Sequence, residues 1–165
     1  RMERASAGVN DPPRTERMRR LFAQKYERAH SLTRFYPGVE AALHHLRGEG
    51  WQLGLCTNKP IAPTRAILAH LRLTPLFATI VGGDTLPVMK PDPAPLLKAM
   101  RALGEGPVVY VGDSEVDAAT AVAASVPFAL FTEGYRKTPV DTIPHDRAFD
   151  DWARLPAIAA ALIRS

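Results

Sequence analysis

The chain has 165 residues, 46% hydrophobic and 23% charged, a composition that suits one globular domain with a core of its own. A single cysteine excludes an internal disulfide framework and points to a reducing, cytoplasmic setting. No apolar run approaches the ~20 residues that span a bilayer, and residues 1–11 hold no apolar signal segment, so no membrane partner is expected.

The net charge of +4 is uneven: residues 1–34 carry nine Lys/Arg against four Asp/Glu. Such an excess can steer an anionic substrate or bind nucleic acid. It is also what a solvated helix face looks like, and no aromatic interleaving or nucleic-acid module accompanies it, so no nucleic-acid partner is expected. After the break at Asp11-Pro12-Pro13, Thr15 can cap a helix running to about His30, with Met18, Leu21, Phe22 and Tyr26 on one apolar face. Pro37-Gly38 precedes a second amphipathic helix over residues 39–46 that ends at Gly48.

From Trp51 onward the pattern alternates. Strands are predicted over residues 52–56, 79–81, 108–111 and 128–131, and helices over 64–71, 95–103, 116–124 and 152–163. Strands alternating with helices predict an α/β fold, a Rossmann-like parallel sheet covered on both faces. The five histidines show no metal-ligand spacing, and Trp51 and Trp152 are expected in packing.

Ligands of an open parallel sheet bind beyond the carboxyl ends of its strands, and three predicted strand ends carry reactive groups. Leu55-Cys56-Thr57-Asn58 offers a hydroxyl and backbone N–H groups at a helix entry, which can hold a phosphate oxygen; Thr57 can equally cap the next turn. In Val88-Met89-Lys90-Pro91-Asp92-Pro93, the proline keeps Lys90 extended, so its ammonium could neutralise a phosphoryl group; an exposed loop lysine fits the same residues. In Val111-Gly112-Asp113-Ser114-Glu115-Val116-Asp117, two carboxylates at a strand tip and a first helical turn can bind Mg²⁺. Asp113 or Ser114 can also serve as an N-cap, and Asp117 as a complement to the helix dipole.

Taken together, Thr57-Asn58, Lys90-Pro91 and Gly112-Asp113-Ser114-x-x-Asp117, in this order and each at a strand end, resemble the haloacid dehalogenase (HAD) superfamily. Tyr36-Pro37-Gly38-Val39, Gly54-Leu55-Cys56-Thr57-Asn58-Lys59-Pro60, Val81-Gly82-Gly83-Asp84, Lys90-Pro91-Asp92-Pro93 and Thr132-Glu133-Gly134-Tyr135 are similar to its phosphoglycolate phosphatase branch. The resemblance implies a Mg²⁺-dependent phosphatase acting on a small phosphorylated metabolite, with 2-phosphoglycolate foremost and pyrophosphate or a sugar phosphate as alternatives. It implies that Thr57 binds the phosphoryl group with help from Asn58, that Lys90 neutralises phosphate and nucleophile, and that Asp113 and Asp117 serve the metal. It also makes residues 1–34 the later part of a helical cap domain and residues 35–165 the α/β core.

The family's nucleophile lies in an Asp-x-Asp-Gly-Thr motif on the central first strand, and no such motif occurs here. Asp146, Asp150 and Asp151, expected beyond the last strand, are poor substitutes, and Cys56 reads as a buried apolar residue. The sequence is therefore expected to be an incomplete record or a truncated product of a longer protein, with an unfilled slot between strands 52–56 and 108–111. A non-catalytic binding or assembly module is the competing expectation. The oligomeric state is left open by the sequence.

Overall fold

The computed structural model describes residues 35–164. The basic segment read as a capped helix and cap remnant lies outside them. Among them, five α-helices and five strands follow in the order α1 (Val39–Gly48), β1 (Leu53–Cys56), α2 (Ile61–His70), β2 (Phe77–Val81), α3 (Ala94–Leu103), β3 (Tyr110–Gly112), α4 (Glu115–Ala124), β4 (Phe128–Phe131), β5 (Arg147–Phe149) and α5 (Leu155–Leu162). All ladders are parallel, as predicted.

Strand β4 shows how sequence becomes packing. Phe128-Ala129-Leu130-Phe131 is buried at every position, because a central parallel strand is covered on both faces. With a side-chain period of two, Phe128 and Leu130 join Leu96 of α3 and Ala118 and Ala121 of α4 on one face. Ala129 and Phe131 join Leu46 of α1, Phe149 of β5, and Leu155, Ala159 and Leu162 of α5 on the other. Tyr36 and Trp152 extend that second cluster, their rings 4.9 and 5.0 Å from Phe131. Trp152 thus takes its expected packing role, although its buried Nε1 has no hydrogen-bond partner.

The sheet is divided. β1 pairs with β2, and β3 with β4 and β4 with β5, but β1 and β3 are not paired among the described residues. Thr57 N–H donates to Val81 across the β1–β2 side, so by alternation the peptide groups of Cys56 and Gly54 point away from β2. Between the edges of β1 and β3 lies an apolar cavity of about 1170 Å³, lined by Leu53, Leu55, Val109, Val111, Met100 and others. The slot expected from the sequence is present.

Several elements differ from expectation in extent, and two bear on the site. β5 was not predicted, so Asp146 precedes a final strand and does not lie beyond it; there its carboxylate accepts from Phe128 N–H at 2.7 Å. β3 begins at Tyr110 and not at Val108, because its first partner bond runs from Tyr110 N–H to Pro127 C=O, and a proline has no N–H to return.

Candidate active site

The carboxyl ends of β1 and β3 and the loop holding Lys90 meet at one network. Lys90 Nζ donates to Asp117 Oδ1 at 2.6 Å, to Tyr110 Oη at 3.0 Å and to the Cys56 carbonyl at 3.2 Å. An ammonium has three protons, and all three are used. The side chains of Lys90 and Asp117 are only 10% and 9% exposed, which settles the choice between a buried ammonium and a solvated loop lysine in favour of the former.

Asn58 explains how a loop lysine is held there. Its side-chain amide donates to Lys90 C=O at 2.8 Å and accepts from Lys90 N–H at 2.9 Å, as a neighbouring strand would. This clamp makes Asn58 a support for Lys90, and its side-chain amide is engaged there. Gly83 lets the loop after β2 close on the same place, since a Cβ there would stand 2.1 Å from Asn58 C=O. Asp84 Oδ1 then accepts from Ile61 N–H at 2.7 Å and caps α2 from a distance. Thr57 sits at the exit of β1, where its Oγ1 accepts from Lys59 N–H at 3.1 Å; that turn leaves the hydroxyl proton available to an anion.

Asp113 and Asp117 share one turn and have different surroundings. Ser114 caps α4 in a capping box with Asp117, so the local structural role read from the sequence is present. Asp117 Oδ1 accepts from Lys90 and Tyr110, and Oδ2 from Ser114 Oγ, Ser114 N–H and Asp113 N–H. Burial works to raise its pKa, but the Lys90 charge and these hydrogen bonds outweigh it and hold the carboxyl below its ordinary range. Five donors leave Asp117 no oxygen for a cation.

Asp113 is half-buried, and burial pushes its pKa up, against the opposing donation from Tyr135 N–H. That N–H meets Oδ2 at 2.9 Å, and Oδ1 accepts from no other residue among those described. An open carboxylate oxygen at a strand tip fits one ligand position of a Mg²⁺, which takes one or two carboxylates and fills the rest with waters and phosphate oxygens. No cluster of three His, Cys, Asp or Glu suited to a metal occurs among the described residues.

Sequence reasoning missed Tyr110, whose hydroxyl lies inside an apolar strand and reaches both Lys90 and Asp117; burial, then Asp117, drive its pKa far above the phenol range. Cys56 packs against the apolar cluster of Leu96, Tyr110 and Leu130. Burial raises its thiol pKa, only partly offset by Lys90, so alkylation by iodoacetamide at pH 8 is expected to be at least ~10-fold slower than that of free cysteine. Alkylation at the free-cysteine rate would contradict that assignment.

The chain is similar to known proteins in sequence and in fold. The haloacid dehalogenase-like hydrolase family model matches residues 3–131. The chain belongs to that family. Within it, the chain resembles phosphoglycolate phosphatase of Cereibacter sphaeroides, with 50% identity over 98% of this chain and 76% of the relative. It also resembles the phosphoglycolate phosphatase of Rhodobacter capsulatus, with 46% identity over 81% and 61%. A solved structure described as a predicted phosphoglycolate phosphatase from Haemophilus somnus superposes with TM-score 0.79 at 33% identity, over 84% of this chain and 64% of that one. No helix among the described residues is long and apolar enough to cross a membrane.

Proposed function

We propose that this chain carries the phosphate- and metal-binding half of a Mg²⁺-dependent phosphomonoester hydrolase whose substrate is 2-phosphoglycolate. The observation that carries the reading is the convergence of Thr57, Lys90 and Asp113 at the carboxyl ends of β1 and β3, beside the slot between them. Thr57 donates its hydroxyl proton to a phosphoryl oxygen. Lys90 offsets charge on the phosphoryl group once the Cys56 carbonyl, its longest contact at 3.2 Å, gives way to a substrate oxygen. Asp113 Oδ1 is the carboxylate that would hold Mg²⁺, and the bound ion supplies further neutralisation of the phosphoryl oxygens. Asp117, Tyr110 and Asn58 hold Lys90 in place.

The nucleophile of this reading is an aspartate outside the sequence given, on a strand that fits the slot; it takes the phosphoryl group as an aspartyl-phosphate while the P–O bond to glycolate breaks and the glycolate oxygen takes a proton from the motif's second aspartate, and water activated by that same residue then releases orthophosphate. The basic residues of the 1–34 segment suit an anionic substrate. The same geometry accepts pyrophosphate or a sugar phosphate, which differ only in what lies beyond the phosphoryl group.

Phosphate release from 2-phosphoglycolate, assayed with and without Mg²⁺ on protein of determined intact mass, tests the reading. Mg²⁺-dependent release from a species heavier than 18.0 kDa supports it. An 18.0 kDa species that binds orthophosphate and releases none favours a binding module. Equal release with and without Mg²⁺ defeats the metal assignment.

A further inference from the structure

The segment leaving β4, residues 132–138, is fastened to the start of α4 at two points. Tyr135 N–H donates to Asp113 Oδ2 at 2.9 Å. Two residues on, Lys137 N–H at 3.3 Å and Thr138 Oγ1 at 3.4 Å donate to Glu115 Oε2. Donors from its own backbone, then from Lys137, hold the Glu115 carboxyl below its ordinary range, so the second fastening is in its ionised, accepting form near neutrality. The approach at the first point is closer than any side chain permits. A Cβ at Gly134 would lie 2.2 Å from Asp113 Cβ, 2.3 Å from Oδ2 and 2.6 Å from Cγ. The contact is made by backbone alone, since the Tyr135 residue is 76% exposed.

The Thr132-Glu133-Gly134-Tyr135 motif takes no part in binding the phosphoryl group. We infer that the Gly134–Tyr135 peptide is a positioning element for Asp113. A carboxylate at a strand tip can turn about its last bond and present either oxygen. Here a charge-assisted hydrogen bond ties down Oδ2 while the glycine backbone closes off the space beside it. One orientation survives, with Oδ1 as the open oxygen. Partners of this kind, which hold a ligand without touching the ion, typically change metal affinity 10–100-fold when lost. Glu115 supports the arrangement by anchoring the far end of the same loop. This inference rests on Asp113 as the metal carboxylate, and the test separates the two.

Amide NMR spectra of the protein are followed during titration with Mn²⁺, a paramagnetic stand-in for Mg²⁺ that broadens amides near its site without any turnover. The amides around Asp113 are expected to broaden, and Gly134→Ala to need about 10–100-fold more Mn²⁺ for the same effect. Gly48→Ala, whose added methyl meets nothing within 4 Å, serves as the control and keeps the unaltered response. An unaltered response in folded Gly134→Ala overturns the inference. A second variant decides the matter if Gly134→Ala does not fold or the parent protein shows no broadening, the latter being a failure of the metal assignment alone. In Asp113→Ala, which removes the acceptor, the Tyr135 amide proton is expected to move upfield and to exchange at least ~10-fold faster, as loss of a hydrogen bond to a charged group predicts. A Tyr135 amide indifferent to Asp113→Ala overturns the positioning role whatever the metal result.

Discussion

Asp117→Ala is expected to destabilise the protein by about 3–5 kcal/mol, the scale for removing one member of a buried ion pair. The cause is the ammonium left behind. Lys90 is 10% exposed and would keep only a phenol and a carbonyl as partners, while Ser114 and Tyr110 lose an acceptor as well. Lys90→Met combined with Asp117→Leu removes both charges and should recover much of the loss, because apolar residues of similar volume commonly replace such pairs at little cost. Urea unfolding monitors both, with a shifted midpoint at unchanged slope. A loss below about 1 kcal/mol for Asp117→Ala would mean that the pair is solvated in solution.

The same carboxylate sets an acid limit. Its folded-state pKa lies below the unfolded value of roughly 3.9, so in acid the unfolded chain binds more protons than the folded one. The contribution is complete above about pH 4 and drains away as pH falls through the folded-state value. Asp113, raised by burial, acts in the opposite sense, so the difference between the parent protein and Asp117→Ala isolates the Asp117 share.

The second large effect is on activity. In a preparation that shows Mg²⁺-dependent phosphate release, Asp113→Asn is expected to lower turnover by at least about 100-fold. Stability should not fall with it. Asparagine keeps an oxygen for Tyr135 N–H, and it relieves both the burial of a charge and the repulsion from Asp117 that raise the aspartate's pKa. An unchanged or higher unfolding midpoint beside lost turnover identifies a ligand and not a structural residue. Undiminished turnover would remove Asp113 from the metal site.

Much of this was legible in the sequence where the signal is local. The run Phe128-Ala129-Leu130-Phe131 reads as a strand, and an N-cap at Asp113 or Ser114 with Asp117 complementing the helix dipole reads from the same few residues, the fold giving the cap to Ser114. Thr57, Lys90, Asp113 and Asp117 were legible as candidates because each sits where a strand or its loop ends. What escaped was decided across the chain. Arg147-Ala148-Phe149 is too short, and too polar at its start, to look like a strand until β4 offers it a partner. The start of α2 at Ile61 depends on the Asp84 carboxylate, 23 residues away. Tyr110 reads as one more apolar residue of β3, and only the fold shows its hydroxyl between Lys90 and Asp117. Asn58 reads as help for phosphate binding through its backbone or its amide, and only the fold shows the amide paired with the Lys90 backbone.

The divided sheet bears on how molecules of this chain behave toward one another. Among the described residues, β1 and β3 each present a row of peptide N–H and C=O groups with no strand opposite, and such edges are templates for strands of a neighbouring molecule. Lys90 covers the carbonyl of Cys56, and the charged residues Glu49, Glu105 and Arg164 stand among the leucines and valines of the lining. An element seated in this gap would therefore cover two strand edges at once, and with them the places where a neighbouring chain could pair.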